Sequence, residues 1–288
     1  MKIKRVIEEF ITQIEQESGY TFTRPLDILY TGTNIIVLLS SELCLKICKK
    51  QYSKAILNSF NIKCRNLCLP IQTYVSISGE YYGYIQTYLN LYNIQHIIKR
   101  KLQLSEIVAG KIIYDVLNGL NHLHDRDLLH RDLHPANIML HSKNKETVAV
   151  IIDFDEMQLL TTETKPCFRY SGYQAPEIVR NDSVYDQKAE IFIVGVIFWE
   201  LLYGECPFAG YDFFGKYIEV SWEYYRKHKT LIESRIQNEI LNIEEYKGCL
   251  NSLSPECAEL LWGLINPDKH KRLFAKEALL TSFFQKIM

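Results

Sequence analysis

The sequence predicts an α+β protein whose strands gather in the first third of the chain and whose helices fill the remainder. Three observations predict it. Residues 26–38, 43–48, 71–78 and 81–88 are short apolar runs parted by Gly32, Ser40-Ser41 and Gly79, the pattern of short antiparallel strands. From Ser105 onward the longer segments repeat their apolar residues at three and four, the helical period. No internal repeat, low-complexity tract or long Pro/Gly/Ser linker interrupts the 288 residues, so strands and helices are read as one unit.

In order along the chain, residues 1–16 place Ile3, Val6, Ile7, Phe10, Ile11 and Ile14 on one helical face. That face is expected to pack on the body of the protein or to meet a partner. Residues 26–38 read as a strand, a turn at Gly32 and a second strand. In Leu43-Cys44-Leu45-Lys46-Ile47-Cys48, Lys46 is the one charge in an alternating apolar strand, a costly placement unless it meets an anion. A helix is expected over 52–60, then two strands over 71–78 and 81–88. Ser105 caps a helix running to His124, with Val108, Ile112, Val116, Leu120 and Leu123 on its apolar face. Leu128-Leu129 and Ile138-Met139-Leu140 flank a polar loop. Ile151-Ile152 leads a further strand-like run into Asp153-Phe154-Asp155, with a turn expected over 141–147. Residues 186–203 read as a buried helix. The stretch 208–254, with Trp222, Tyr224 and Tyr225 clustered, reads as core or as a docking surface. Asn266-Pro267-Asp268, Arg272 and a helix ending at Phe283-Phe284 close the chain.

Composition excludes several function classes. A net charge of -1 argues against a nucleic-acid or membrane-surface protein. The most apolar run, 191–203, holds thirteen residues and contains Glu200, short of the ~20 that a membrane span needs. Glu8, Glu9 and Glu15 interrupt the apolar pattern of the first residues, so no secretory leader is expected there. The eight cysteines include no C-x-x-C pair. They read as reduced thiols of a cytoplasmic protein, or of one working in a host cytosol if the source is a parasite or pathogen.

The chemistry concentrates in His130-Arg131-Asp132-Leu133-His134-Pro135-Ala136-Asn137 and, sixteen residues past Asn137, in Asp153-Phe154-Asp155. Two strand ends that deliver oxygen ligands to one place suit a metal and phosphates. The pattern H-R-D-x-x-x-x-N followed by D-F-x resembles the catalytic core of the protein kinase family. The resemblance extends from about Leu26 to Phe284. It implies a bilobal protein-kinase-like fold, a small antiparallel β lobe plus a larger helical lobe. Residues 1–25 would be a helical extension, 26–88 the small lobe and 89–288 the large lobe.

The resemblance also implies roles. Lys46 would hold the outer phosphates of ATP, Asp132 would orient the acceptor hydroxyl, and Asn137 and Asp153 would hold Mg²⁺, with Mn²⁺ as an alternative. Arg131 precedes Asp132 as in kinases whose activation segment is settled by an anion. Candidate modified residues in that segment are Thr161, Thr162, Thr164 and Tyr170. Gly32, Val37, Cys44, Thr87, Leu89 and Met139 would line the nucleotide pocket, with Gln86 guarding its back. Tyr173-Gln174-Ala175-Pro176-Glu177 matches the segment's close, Arg272 would pair with Glu177, and Glu190 stands at the family's helix aspartate.

Four departures matter. Only Gly32 of the glycine-rich loop remains. Asp155 replaces the glycine of D-F-G, and His134 replaces the usual lysine. Between Lys46 and Glu80 there is no Asp or Glu, so the family's helix carboxylate is absent; Ser53 stands in its place, and Lys46 needs another partner, with Asp153 the candidate. The expected activity is transfer of the ATP γ-phosphate to Ser/Thr of a protein substrate. The alternatives are a pseudokinase scaffold and a small-molecule phosphotransferase, whose D-L-H-P-A-N and I-D-F-D-E motifs look similar.

Overall fold

The computed structural model describes residues 2–31, 34–49, 55–59, 61–143, 145–161, 173–180, 184–205, 207 and 243–288. The tip at Gly32, the segment holding Ser53, residues 162–172 and the stretch 208–242 lie outside them. The calls on Gly32, Ser53, Thr162, Thr164, Tyr170, Trp222, Tyr224 and Tyr225 therefore lie outside the described residues.

A five-stranded antiparallel sheet has the order β1-β2-β3-β5-β4. Its strands are β1 (Ile28–Thr31), β2 (Asn34–Leu38), β3 (Leu43–Cys48), β4 (Gln72–Val75) and β5 (Tyr82–Thr87). Strand pleating sends alternate residues to opposite faces. One face carries Ile35, Val37, Leu45, Ile47, Tyr74 and Ile85, and helix α1 (Lys2–Ser18) covers it with Val6, Ile7, Phe10, Ile11 and Ile14. The apolar stripe of α1 is thus consumed by the sheet. A Cβ at Gly83 would lie 3.2 Å from Leu45 and 3.4 Å from the Phe10 ring, so a side chain there would crowd the helix. The opposite face carries Cys44, Lys46, Tyr84 and Gln86, paired across β3 and β5 as Cys44–Gln86 and Lys46–Tyr84. The short helix α2 (Ala55–Ser59) follows β3 in the chain.

The second layer is helical and is built on two helices. Helix α4 (Glu106–His124), which follows the short α3 (Gln95–Lys99), starts at Ser105, whose hydroxyl accepts from Val108 N–H. After α5 (Pro176–Val179), helix α6 (Gln187–Tyr203) is buried over all but its terminal residues. Asp186 caps it by accepting from Lys188 and Ala189 N–H. It ends at Gly204, whose φ of 72° and whose Cβ position 2.8 Å from the Lys101 carbonyl both demand glycine. Helices α7 (Pro255–Ile265), α8 (Ala275–Leu279) and α9 (Ser282–Ile287) close around α4 and α6. The final helix runs beyond Phe284, and both Phe283 and Phe284 are buried. Among the described residues no helix is long and apolar enough to cross a membrane.

The hairpin β7 (Ile138–Lys143) and β8 (Glu146–Ile151) corrects the expected turn over 141–147. Pairing continues through Ser142–Thr147 and Lys143–Glu146. The Asn90 side chain explains the extension: its Oδ1 accepts from Ser142 N–H and its Nδ2 donates to the Ser142 carbonyl, both at 3.1 Å. Asn90 thereby imitates a neighbouring strand for a polar segment that sequence pattern alone reads as loop.

Candidate active site

The loop 130–137 follows β6 (Leu128–Leu129), which pairs antiparallel with β9 (Gln158–Leu159). His130 is fully buried. Its Nε2 lies 2.9 Å from the Ile152 carbonyl and its Nδ1 accepts from Asp132 N–H. Nε2 is therefore the protonated nitrogen, and the ring ties the 130–132 turn to the strand end that leads into Asp153. The His130 ring also meets the Phe154 ring edge-on at 5.1 Å. Asn137 makes a second tie. Its Nδ2 donates to the Asp132 carbonyl at 2.8 Å, and its own carbonyl accepts from Ile152 N–H at 2.9 Å. Asp132, Asn137 and Asp153 are thus brought to one place by two residues that each bridge the two segments.

Two backbone positions here are strained. Arg131 and Asp153 both have φ of 66°, the left-handed region that side chains rarely adopt, at a cost of about 1–3 kcal/mol each. Glu190, buried in α6, holds the first. Its Oε1 accepts from Arg131 N–H at 2.7 Å while its Oε2 meets His124 Nε2 at 2.8 Å. One carboxylate thus serves both the loop and α4. His134 has a local use: its Nδ1 accepts from Ala136 N–H and caps the turn Pro135–Asn137.

Lys46 is 5% exposed, and its Nζ donates to Asp153 Oδ1 at 2.7 Å and to Asp155 Oδ2 at 2.9 Å. Tyr84, opposite Lys46 in the sheet, donates its hydroxyl to Asp155 Oδ1 at 3.0 Å and lays its ring 5.4 Å from Nζ. Burial opposes the Lys46 charge, but the two carboxylates outweigh it and raise its pKa above the ordinary lysine value. Burial also acts to raise Asp153, yet the Lys46 charge and hydrogen bond win and hold it below the usual carboxylate range. Asp155 moves the other way: burial, joined by the Asp153 charge, pushes its pKa up despite Lys46. The pair is split, with Asp153 the better anion. Burial, aided by the Asp155 charge, raises Tyr84 well above its ordinary value and keeps it a donor.

Of the pocket residues, Leu89 is packed with Cys68 and Val150 against Met139 and Ile152. The Thr87 carbonyl accepts from Cys68 Sγ at 3.3 Å and lies 4.0 Å from Cys44 Sγ. Burial pushes the Cys44 thiol up to about 11 and the Cys68 thiol up to about 12, so both stay protonated. Val37 is a correction. The register pairs Val37 with Leu45 and Ile36 with Lys46, so Val37 faces α1 at 0% exposure and Ile36 takes the Lys46 face. Both sheet faces want apolar residues here, and a shift of one residue exchanges them.

Away from the cleft, Arg272 meets Glu177 in a forked pair, 2.7 and 2.8 Å, as expected. Arg272 also donates to the Lys188 and Asn266 carbonyls. Tyr173 donates to both oxygens of Glu200, which explains the one acid in the apolar run 191–203 of the helix. Sequence reasoning missed this pair, Tyr84 and Ile36; only the in-register pairing of strands places the last two.

A family model described as protein kinase domain matches residues 45–284. The chain is 28% identical to mitogen-activated protein kinase p38b of Drosophila melanogaster over 70% of this chain and 57% of that protein. It is 28% identical to mitogen-activated protein kinase 13 of Mus musculus over 64% of this chain and 52% of that protein. It is 29% identical to mitogen-activated protein kinase pmk-1 of Caenorhabditis elegans over 58% of this chain and 46% of that protein. The chain spans about half the length of these curated relatives. Among solved structures, the Rad53 kinase domain with SCD2 in complex with AMPPNP superposes with a TM-score of 0.62 at 16% identity, over 90% of each chain.

Proposed function

We propose that this chain, which belongs to the protein kinase family, is an ATP-dependent protein kinase acting on Ser/Thr hydroxyls of protein substrates. One observation carries the reading: Lys46 is paired with Asp153 at 2.7 Å, and Asn137 ties the Asp132 loop to the strand end that leads into Asp153. The kinase relatives and the AMPPNP complex of the similar fold support nucleotide binding here.

The donor set fits Mg²⁺. Asp153 is a carboxylate of lowered pKa with its side chain 30% exposed, and Asn137 Oδ1 adds a neutral oxygen, leaving places for phosphate and water. Bound there, the ion would neutralise charge on the phosphates. Lys46 is in reach to share the phosphate charge. Asp132 is the group to accept or orient the acceptor's proton, and Asn137, which donates to the Asp132 carbonyl, fixes that loop. Leu89, Met139, Cys44 and the Thr87 backbone form the proposed adenine wall, with Ile36 in the place expected of Val37. Arg131 is proposed to couple the loop to an anion in the activation segment.

We assign residues 26–88 and 89–288 to the two lobes and 1–25 to an extension that caps the sheet. Free cysteines among the described residues, Cys44 and Cys68 included, support a reducing, cytoplasmic compartment. The absence of a helix carboxylate in the sequence favours a pseudokinase as the second reading.

The test is transfer of labelled γ-phosphate to a generic basic protein with Mg²⁺ or Mn²⁺, beside Asp132→Ala. Label on Ser/Thr that falls by about 10³-fold or more in the variant supports the kinase; wild type no better than the variant gives the pseudokinase.

A further inference from the structure

We infer that Asp155 is the positioning carboxylate of Lys46, in place of the helix acid this chain lacks, and that Tyr84 holds Asp155 in that pose. The inference rests on the kinase reading for its activity arm and stands apart from it in its binding arm.

Lys46 has a buried stem and an ammonium that needs a counter-charge. The segment after β3 cannot supply one, because residues 47–79 contain no Asp or Glu. Asp153 can serve only while its oxygens are not committed to a cation. A second carboxylate is therefore required in the loaded cleft, and among the described residues Asp155 is the one within ion-pair distance of Lys46 besides Asp153. Its Oδ2 accepts from Lys46 Nζ at 2.9 Å. Its Oδ1 accepts from Tyr84 OH at 3.0 Å, so both oxygens are engaged and the carboxylate cannot swing freely.

Tyr84 is 1% exposed and sits in register with Lys46 across the β3–β5 ladder. The clamp is therefore anchored on the same sheet as the lysine it serves. Asp155 is not among the residues of positive φ, whereas Asp153 is. The backbone at 155 thus does not need the glycine that the family carries, and the side chain is free to act.

The test uses the full chain with Asp155→Asn, Asp155→Gly and Tyr84→Phe, each checked for cooperative unfolding. Affinity for AMPPNP with Mg²⁺ is read by calorimetry, and phosphate transfer is read across a magnesium titration. The expected result is a loss of about fivefold or more in nucleotide affinity in Asp155→Asn. The kcat should fall ~10- to 100-fold, the weight of a hydrogen bond to a charged group, with KM for the protein substrate unchanged. Asp155→Gly, the family's own residue, should be as impaired, and Tyr84→Phe should show a smaller loss of the same kind. Wild-type affinity and turnover in Asp155→Gly would overturn the inference. So would full recovery of Asp155→Asn at high magnesium, which would make Asp155 a metal ligand. If wild type transfers no phosphate, the kinase reading fails while the calorimetric comparison still decides on Asp155; if wild type does not bind AMPPNP either, both fall.

Discussion

Two cation–carboxylate centres, Lys46 in the cleft and Arg272 in the helical lobe, are built on opposite plans. Arg272 is 1% exposed, meets one carboxylate through a matched fork, and gives two further N–H bonds to carbonyls. Each of its three nitrogens has a partner. Lys46 faces two carboxylates at once, on side chains 30% and 17% exposed, one of them on a strained backbone. This centre sets two carboxylates against one ammonium. The fork is closed on itself, whereas the lysine centre pairs one ammonium with two partly exposed carboxylates, the arrangement that the proposed metal and phosphate site would use.

Substitutions can break or sharpen that contrast. Lys46→Met should lower phosphate transfer by about 10³- to 10⁴-fold, ~4–5 kcal/mol of transition-state stabilisation. Its unfolding free energy should fall much less than that of the arginine variant. Arg272→Ala should cost about 3–5 kcal/mol in urea unfolding, because Glu177 is left buried and unpaired. A loss below about 1 kcal/mol there would remove the distinction between the two centres.

Next in size, Val37→Ala should cost about 1–3 kcal/mol of stability by opening the α1 interface and leave nucleotide affinity alone, whereas Ile36→Ala should weaken nucleotide binding. The reverse outcome would return Val37 to the pocket. The smallest effect belongs to a surface pair, Arg24 with Glu15 at 2.8 Å. The hydrogen bond from Arg24, with one from Phe22 N–H, lowers the Glu15 pKa. A carboxylate with a depressed folded pKa stabilises above its unfolded value and loses that contribution as pH falls through the folded one. Glu15→Gln should therefore melt slightly below wild type at pH 7, with the gap closing in acid.

Part of this was legible in the sequence: the α1 stripe and the Ser105 cap follow from helical period and capping chemistry. The Glu177–Arg272 pair and the position of Glu190 follow from what the kinase resemblance implies. Lys46 was legible as a charge in need of an anion, and Asp153 as its candidate. Other features were not, the Tyr173–Glu200 pair among them. The face taken by Val37 depends on strand register, which a sheet covered on both sides does not print as alternation. The extent of the β7–β8 hairpin depends on Asn90, about fifty residues upstream. The Tyr84–Asp155 bond joins residues 71 apart, and neither residue type announces the other.

The most direct measurement of the central claim is AMPPNP binding by calorimetry with Mg²⁺ and again with EDTA, in wild type and in Asp153→Asn. A cleft whose surplus carboxylate receives a metal and its phosphates should bind tightly only with magnesium, and Asp153→Asn should lose that dependence together with most of the affinity. Binding that is the same with and without the metal, or that Asp153→Asn leaves intact, would contradict it.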